Sequence, residues 1–561
     1  MTIAPARPPP NGPAAPGNPP GDPRSRSRSR AEGQERTIVS RLPRRRRLAV
    51  AASLLAATLV VGACSATGTG DPGATTGEID PDAVLRVSAS SPFQNLDPAQ
   101  PAPGGYPYLT LIYDRLTMVD STDQVVPGLA KKWTYAQDGS YLELALRDDV
   151  KFHDGTPFDA NAVKVNIERG QTLPTSTIKQ DLASITGVTV VDAHTVRLNL
   201  KPGTGAVLPS ALATAAGMMV SPKAIADGVD LKRAPGKAGS GPYVVTEFIP
   251  NEKYVVKRAE GTYWDPNAGR LAGMEITRVP EGATRLNGVI SGQTDLSFVS
   301  SANEITQARQ LGEDGQLKVT TRPFRNVLGI LLRANMGDLK DKRVREAIAR
   351  SVDPAAIRAL FADTCTPTRS IYPDSPWEDP AATYPYEFDL AKAKALISEV
   401  GGAKVSISFS AGTNTEQPAT AIQAAMAQAG IDAKLNPTPN SETEARFIAG
   451  DFELEVSNTF NPRLDPAGTV DNYLIGNYKL ATDPEVIGPI AAKAADPRSS
   501  VEERAKQYHQ LWERLFSEAW FIPICNLTSA TIASPKVVGA EQLPWTNLGL
   551  FDLRTVAMTK G

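Results

Sequence analysis

The stretch of residues 125–160 constrains the fold more than any other part of this sequence. Two runs of alternating apolar residues are separated in it by Asp138 and Gly139, a pair typical of a tight β-hairpin turn. Residues 152–155, Phe-His-Asp-Gly, predict a second turn, and Asp159 stands where it would cap the amphipathic helix that follows. The stretch therefore predicts two paired strands and a helix joined by short turns.

The same patterns predict secondary structure along the rest of the chain. We expect a first strand at residues 84–89, a helix that includes residues 113–116, a hairpin with its turn at residues 192–193, and a buried helix at residues 206–219. Helical and strand patterns then alternate between residues 389 and 435, which is typical of an α/β domain.

The chain begins with a segment that is unsuited to folding. Residues 1–43 are rich in Pro, Gly and Ser-Arg and almost free of apolar residues, so we predict a disordered basic leader. Residues 44–63 combine four arginines, a short apolar run and small residues, which predicts a secretory signal rather than a membrane-spanning helix. The general and the twin-arginine export routes both stay open, as does a translation start near Val39.

The signal ends on Val-Gly-Ala-Cys, which resembles a bacterial lipobox. This resemblance implies cleavage before Cys64, acylation of its thiol and a lipid anchor on the outer face of the bacterial cytoplasmic membrane. Residues 64–82 would then be the lipidated cysteine and a flexible tether of small residues. The alternative is an ordinary signal with an incidental cysteine.

The charge of the mature chain excludes one class of partner. Residues 1–63 hold eleven of the 59 basic and three of the 61 acidic residues, which leaves 48 basic against 58 acidic residues and a net charge near −10. Nucleic acid is therefore not an expected partner, because phosphate binding needs clustered Lys and Arg.

Two cysteines follow Cys64 in the sequence. Cys365 and Cys525 lack the spacing of a zinc site, and they are either a disulfide or two inert thiols.

Several motifs occur together in the order of a known family. They are Pro127, Leu129-Ala130, Trp133, Asp138-Gly139, Leu146-Arg147, residues 150–155, residues 239–245 (Gly-Ser-Gly-Pro-Tyr-Val-Val) and residues 341–348. In this order they resemble the extracellular solute-binding proteins, family 5, which serve peptide, nickel and opine ABC importers. The resemblance runs from about residue 85 to about residue 550, nearly the whole mature chain.

The resemblance implies an α/β, two-lobe periplasmic-binding-protein fold of the class with an extra subdomain in the first lobe. The lobes would be linked by a hinge, with the ligand between them. We expect lobe I at residues 83–318 with an inserted subdomain at about 117–230, lobe II at 319–518, and a return to lobe I at 519–561.

The sequence offers little that resembles catalytic chemistry. His153, His194 and His509 are isolated, and neither a zinc-protease motif nor a phosphate-binding loop occurs. Ser176 and Lys179 match the SxxK motif of penicillin-binding enzymes, but the other two motifs of that class stand in the reverse order. We therefore predict no enzyme, no catalytic residue, no metal and no cofactor.

The ligand-binding residues are predicted mainly from their positions in the family pattern. These candidates are Leu96, Tyr106, Tyr243, Phe460, Asn461, Arg463 and Asn526. The chain departs from the peptide-binding members before Asp465, because it lacks the Trp and Asp that pair there with a free peptide amino group. Arg463 would instead suit a carboxylate, a phosphate or a sugar hydroxyl, or it is an exposed loop arginine.

The resemblance implies the substrate-binding component of an ABC importer. Its ligand would be a small peptide or peptide-like solute, and its partners an ABC permease with its ATPase, the membrane through the lipid anchor, and no second copy of the chain. Within the binding class, an oligosaccharide, an opine or a metal chelate is the alternative. From another class, the alternative is a cell-wall hydrolase or sensor that reuses the scaffold.

Overall fold

The computed structural model describes residues 77–101, 104–373, 375–378, 384–543 and 551–560. The predicted leader, signal, Cys64 and most of the tether lie outside these residues. No helix of the described part is long and apolar enough to cross a membrane.

The first part of the described chain contains eleven strands and six α-helices. The strands are β1 (Val84–Ala89), β2 (Thr117–Val119), β3 (Val125–Pro127), β4 (Ala130–Tyr135), β5 (Tyr141–Leu146), β6 (Ile185–Asp192), β7 (Thr195–Leu200), β8 (Tyr243–Ile249), β9 (Lys253–Arg258), β10 (Gly273–Arg278) and β11 (Leu296–Val299). The helices are α1 (Tyr106–Ile112), α2 (Ala160–Thr172), α3 (Leu208–Ala211), α4 (Pro222–Ala226), α5 (Gly282–Ile290) and α6 (Ala302–Glu313).

The second part follows the same alternation of strands and helices. The strands are β12 (Lys318–Leu332), β13 (Cys365–Pro367), β14 (Ala403–Ser410), β15 (Ile431–Thr438), β16 (Leu454–Phe460), β17 (Phe521–Ala533), β18 (Val537–Val538) and β19 (Ala557–Met558). The helices are α7 (Lys342–Ser351), α8 (Pro354–Ala359), α9 (Leu390–Val400), α10 (Glu416–Gln428), α11 (Thr443–Ala449), α12 (Pro466–Thr469), α13 (Pro484–Ala494) and α14 (Val501–Ser517).

One sheet runs through the whole body of the protein. Its strand order is β15-β14-β16-β12-β17-β11-β1-β10-β9-β8, and β13 also pairs with β17. Buried apolar residues form one core between residues 327 and 527, which we call lobe II. The residues before β12 and from Ala530 onward build two further cores, which we together call lobe I. The predicted α/β fold with two lobes is confirmed, whereas the predicted domain boundaries stay predictions.

The long strands β12 and β17 join the two lobes. Residues 318–323 of β12 pair with β17 on the lobe I side, and residues 327–331 pair with it on the lobe II side. The pairing is interrupted at residues 324–326, where three residues of β12 stand opposite a single residue of β17. We call residues 324–326 the hinge segment, because the ladder between the lobes is broken there.

Two side-chain features brace this hinge segment. The Nδ2 of Asn526 in β17 donates to the carbonyl oxygens of residues 324, 325 and 326 at 3.0–3.3 Å. Cys525, the preceding residue, forms a disulfide with Cys365 of β13, with their Cα atoms 5.5 Å apart. Of the two states that the sequence left open for these cysteines, the structure therefore has the disulfide.

A second sheet, in the order β4-β5-β7-β6, forms part of lobe I. Both of its predicted hairpins are confirmed, and Gly139 has a φ of +71° at the tip of the first one. Asp159 caps α2 as predicted, because its Oδ1 accepts from the backbone N–H of Ala162 at 2.9 Å. Local side-chain chemistry thus determines these turns and this helix start.

Two family motifs that are far apart in sequence meet in lobe I. The backbone N–H of His153 donates to the carbonyl of Gly239 at 2.8 Å, and the Nε2 of His153 lies 2.8 Å from the carbonyl of Gly241. A Cβ added to Gly239 would lie only 1.9 Å from the carbonyl oxygen of Ile112. The motifs therefore hold lobe I together by close backbone contact.

Two of the predicted helices are wrong. Residues 113–116 follow α1 in an extended path, because the carbonyls of Arg115 and Leu116 accept from the backbone N–H groups of residues 129 and 130. Residues 206–219 hold only α3 and one 3-10 turn. The chain folds so tightly there that a Cβ on Gly217 would lie 1.8 Å from the carbonyl oxygen of Leu212, which excludes a continuous helix.

Candidate ligand-binding site

A cavity of about 410 Å³ lies between the two lobes. Lobe I lines it with residues of α1 and of the ends of β1 and β11, among them Ala89, Ser90, Ser91, Tyr108, Phe298 and Ser300. Lobe II lines it with Thr413, Asn414, Asn440, Asn458 and Thr459. The hinge segment and β17 contribute Phe324, Asn326, Leu527 and Ser529.

The strand order explains why these residues meet. In lobe I, β1 runs parallel to β10 and β11, and in lobe II, β14 runs parallel to β15 and β16. Ser90, Ser300, Asn414 and Asn440 lie just beyond the carboxyl ends of β1, β11, β14 and β15, and Thr459 lies near the end of β16. Ligands of open α/β sheets bind at this edge, because the loops that follow the strands are free to carry recognition side chains.

Aromatic rings form one wall of the cavity. The rings of Phe298 and Phe551 are stacked with their centroids 3.6 Å apart and their planes at 9°. Tyr108 and Phe324 also line the cavity, and the hydroxyl of Tyr108 donates to the carbonyl of Ser91 at 3.3 Å. This wall offers flat apolar surface to a ligand.

Asparagine side chains dominate the lobe II wall. The Nδ2 of Asn458 donates to the Oδ1 of Asn414, which ties the end of β16 to the loop after β14. Asn440, in the loop after β15, is exposed. On the hinge segment, the buried Oδ1 of Asn326 has no hydrogen-bond partner among the described residues. An asparagine amide both donates and accepts, so this wall suits a ligand with both kinds of group.

The single charged side chain among the described lining residues is Arg285 of α5. Its guanidinium donates to three backbone carbonyls, to Phe298 at 2.9 Å, to Val279 at 2.8 Å and to Pro280 at 2.5 Å. Arg285 is 5% exposed, and its burial lowers its pKa. The guanidinium thus holds the end of β11 against the segment that precedes α5.

Three of the sequence-predicted ligand residues lie in the core of lobe I. Leu96 and Tyr243 are fully buried, and burial raises the pKa of Tyr243 to about 12. Tyr106 is committed to other residues, because its hydroxyl donates to the carbonyl of Ala213 and accepts from Arg115, both at 2.5 Å. None of the three lines the cavity, and their role as ligand contacts stays a prediction.

The predicted residues of lobe II and of the hinge also lie outside the lining. Phe460 stacks on Phe521 with centroids 4.1 Å apart, and the backbone N–H of Asn461 donates to the hydroxyl of Tyr473 at 2.9 Å. Asn526 lies behind the hinge segment, where its amide holds the three carbonyls described above. The ligand roles of these residues stay predictions as well.

Arg463 lies in a different part of the space between the lobes. Its backbone N–H donates to the Oγ1 of Thr469 at 2.8 Å. Desolvation raises the pKa of Asp181, a residue of lobe I, and the positive charge of Arg463 opposes this rise. The neighbouring Gln180 donates to Asp471 at 2.8 Å, so this region forms a contact between the lobes outside the cavity.

The sequence reasoning missed Asn414, Asn440 and most of the other lining residues. The available signal was the position of Asn and Thr residues directly after predicted strands. It required knowledge that these strands are parallel neighbours, which no local pattern contains. No cluster of three or more His, Cys, Asp or Glu side chains in the described part of the chain could hold a metal ion.

The chain is similar to several known binding proteins. It is 25% identical over 467 residues to the glutathione-binding protein GsiB of Salmonella paratyphi A, covering 78% of this chain and 88% of that protein. It is 25% identical over 421 residues to the probable D,D-dipeptide-binding periplasmic protein DdpA of Escherichia coli K12, covering 72% of this chain and 78% of that protein.

A solved structure has the same fold. The crystal structure of NikA from Brucella suis in complex with Fe(III)-EDTA superposes with a TM-score of 0.74 at 24% identity, covering 85% of this chain and all of that chain. The family model of the bacterial extracellular solute-binding proteins, family 5 Middle, matches residues 124–479, more than half of the sequence. The chain therefore belongs to the extracellular solute-binding proteins of family 5, which bind small molecules or peptides outside the cytoplasm and work with ABC permeases.

Proposed function

We propose that the protein is the substrate-binding lipoprotein of an ABC importer and that it captures a small peptide or peptide-like solute. The observation that carries this proposal is the cavity between the lobes, lined from both sides by residues at strand ends. A ligand bound there contacts both lobes at once. It therefore favours the closed form by the affinity that it gains on closure, and the closed form would dock on the permease.

Two features support a peptide-like ligand. The relatives include a protein named for glutathione and one named for D,D-dipeptides, which are both peptides. The amides of Asn414 and Asn458 carry the same donor and acceptor groups as a peptide bond, which they can therefore pair with. The aromatic wall of Phe298 and Phe551 suits the apolar side chains of such a ligand.

The lipid anchor at Cys64 is the second part of the proposal. It is supported by the lipobox-like sequence before Cys64 and by the extracytoplasmic location of the family. Labelling cells with a radioactive fatty acid tests it. The protein should carry the label, and the Cys64→Ala variant should not. Equal labelling of both proteins would contradict an anchor at Cys64.

An oligosaccharide is the second candidate ligand. It is favoured by the combination of several asparagines with stacked aromatic rings, which suits hydroxyl groups around a flat sugar face. The two candidates are separated by the ligand panel described next.

Thermal unfolding of the full chain with a panel of di- and tripeptides with free and with blocked ends, neutral oligosaccharides and metal chelates tests the function. A ligand present at 100 times its Kd stabilises the protein by about 2.7 kcal/mol. We expect peptides to raise the Tm and Asn458→Ala to abolish the rise. Asn477 is a matched control, because it donates to Asn472 at 2.8 Å in a similar asparagine pair that does not line the cavity. A response to no peptide would refute the proposal.

A further inference from the structure

We infer that the cavity between the lobes selects uncharged solutes and discriminates against ligands that carry an ammonium or a carboxylate group. This inference rests on the proposed function and specifies the chemical class of its ligand. The shared chemistry is a neutral molecule with hydrogen-bonding edges and one apolar face, such as a peptide with blocked ends or a neutral glycan.

The first argument is the charge of the lining. No Asp or Glu is among the described residues that line the cavity, and the guanidinium of Arg285 already donates to three carbonyls. A ligand ammonium would therefore meet no carboxylate among the described lining side chains. A ligand carboxylate would meet only the guanidinium of Arg285, on which the carboxylates of Glu304 and Glu281 already act electrostatically.

The second argument concerns two arginines of the space between the lobes, each of which has an aspartate of lobe I close by. Arg325 stands between the lining residues Phe324 and Asn326, but its guanidinium forms an ion pair with Asp123 of lobe I. Arg463, the cation that the sequence offered for a ligand anion, lies outside the lining, and its charge acts on Asp181. Moving a charged group from water into such a site is unfavourable unless a partner replaces the lost hydration.

The third argument concerns what the lining does offer. The bond between Asn458 and Asn414 uses one donor and one acceptor of the pair, and the remaining polar atoms of both amides can bind the ligand. Such groups match the N–H and C=O of a peptide bond, or hydroxyl groups. The Phe298 and Phe551 rings on the other side accommodate an apolar face. Neutral hydrogen bonding together with apolar contact is thus the chemistry that this cavity provides.

Calorimetric titration of the full-length protein with matched pairs of ligands tests the inference. One pair is trialanine with free ends against N-acetyl-trialanine amide, and the other is chitobiose against N,N′-diacetylchitobiose, at about pH 6, where free amines are protonated. We expect at least one neutral member to bind about 100-fold more tightly than its charged counterpart, as expected for an unpaired buried charge. The peptide pair and the sugar pair distinguish the two sources of this chemistry.

The possible results separate this inference from the proposed function. If free trialanine binds as tightly as the capped peptide, the selection for uncharged ligands is refuted while a peptide-binding function stands. If no member of either pair binds, both are refuted. If only diacetylchitobiose binds, the selection for uncharged ligands is supported and the proposal of a peptide ligand is refuted.

A variant provides a second measurement, namely the change in affinity for a charged ligand when a carboxylate is added to the lining. Asn458→Asp places a carboxylate in the cavity with almost no change of shape, and Asn414 can donate to this carboxylate once its amide group is turned by 180°. We expect the affinity for free trialanine or chitobiose to rise at least about 10-fold, since an ammonium group then gains a partner. Asn477→Asp makes the same change outside the lining and should have no effect. An unchanged affinity in Asn458→Asp would overturn the inference.

Discussion

Glu455 offers a quantitative test of how this fold treats a buried carboxylate. It lies on β16 in the sheet of lobe II, its side chain is 3% exposed, and its Oε2 has no hydrogen-bond partner among the described residues. Desolvation raises the pKa of Glu455 to about 7, the charge of Glu444 adds to the rise, and a hydrogen bond with Ser457 opposes it. Replacement by glutamine keeps the shape and removes the titration.

The sign and size of the effect follow from proton linkage. Between its ordinary pKa of 4.5 and its folded value of about 7, the folded protein holds a proton that the unfolded chain has lost. The free energy of unfolding therefore falls as the pH rises through this interval, by about 3 kcal/mol in total at 1.36 kcal/mol for each pH unit. The neutral amide of Glu455→Gln resembles the protonated acid, so this variant should not show the loss.

The assay is urea unfolding of both proteins between pH 5 and pH 8, with the free energy of unfolding obtained by linear extrapolation. We expect similar stabilities at about pH 5 and an advantage of up to about 3 kcal/mol for Glu455→Gln at about pH 8. Glu313→Gln is the control, because Glu313 is an exposed residue at the end of α6 and its replacement should leave the pH dependence unchanged. Parallel curves for Glu455→Gln and the parent protein would refute the reasoning.

Three further predictions concern the surroundings of the hinge segment and the start of α2. Replacing Cys365 and Cys525 together by serine should lower the free energy of unfolding by about 5 kcal/mol, because the disulfide closes a sequence separation of 160 residues; an unchanged urea midpoint would contradict this. Asn526→Ala should speed hydrogen exchange at the hinge segment, residues 324–326, because three carbonyls lose their shared donor. It should also lower the free energy of unfolding by about 1–2 kcal/mol. Unaltered exchange at the hinge segment would contradict the bracing role of Asn526. Asp159→Ala should cost about 1 kcal/mol in urea unfolding through the lost helix cap, and Asp159→Asn should restore most of it; equal losses in both variants would exclude capping as the cause.

The parts of the fold that local chemistry determines were predictable from the sequence. The turn at Gly139, the cap at Asp159 and the start of α7 at Asp341, whose Oδ1 accepts from the N–H of Arg343 at 2.9 Å, each depend on residues only a few positions apart. The segment 206–219 was not predictable in this way. Its apolar composition fits a helix, but the close approach of Gly217 to Leu212 is imposed by packing in three dimensions.

The candidate site was less predictable for a related reason. Asn414, Asn440 and Asn458 follow or end three different strands, and they meet only because β14 lies between β15 and β16. Strand order is a property of the whole sheet, so no spacing along the chain indicates it. Asn526 illustrates the converse, because its position resembles a ligand residue of the family while its amide holds the hinge segment.

The interrupted strand pairing at the hinge segment indicates the point about which the two lobes rotate. In the described chain the backbone passes between the lobes in β12 and β17, and these strands pair with each other on both sides of residues 324–326. Rotation of one lobe against the other about this point moves nearby atoms little and distant atoms far. The bond from the N–H of Ala206 to the carbonyl of Ala495 and the bond from Gln180 to Asp471 both connect the lobes outside these two strands. Opening the lobes would break such contacts, so each of them favours the closed form. Substitutions at these residues would therefore change the equilibrium between the open and closed forms without altering the lining of the cavity.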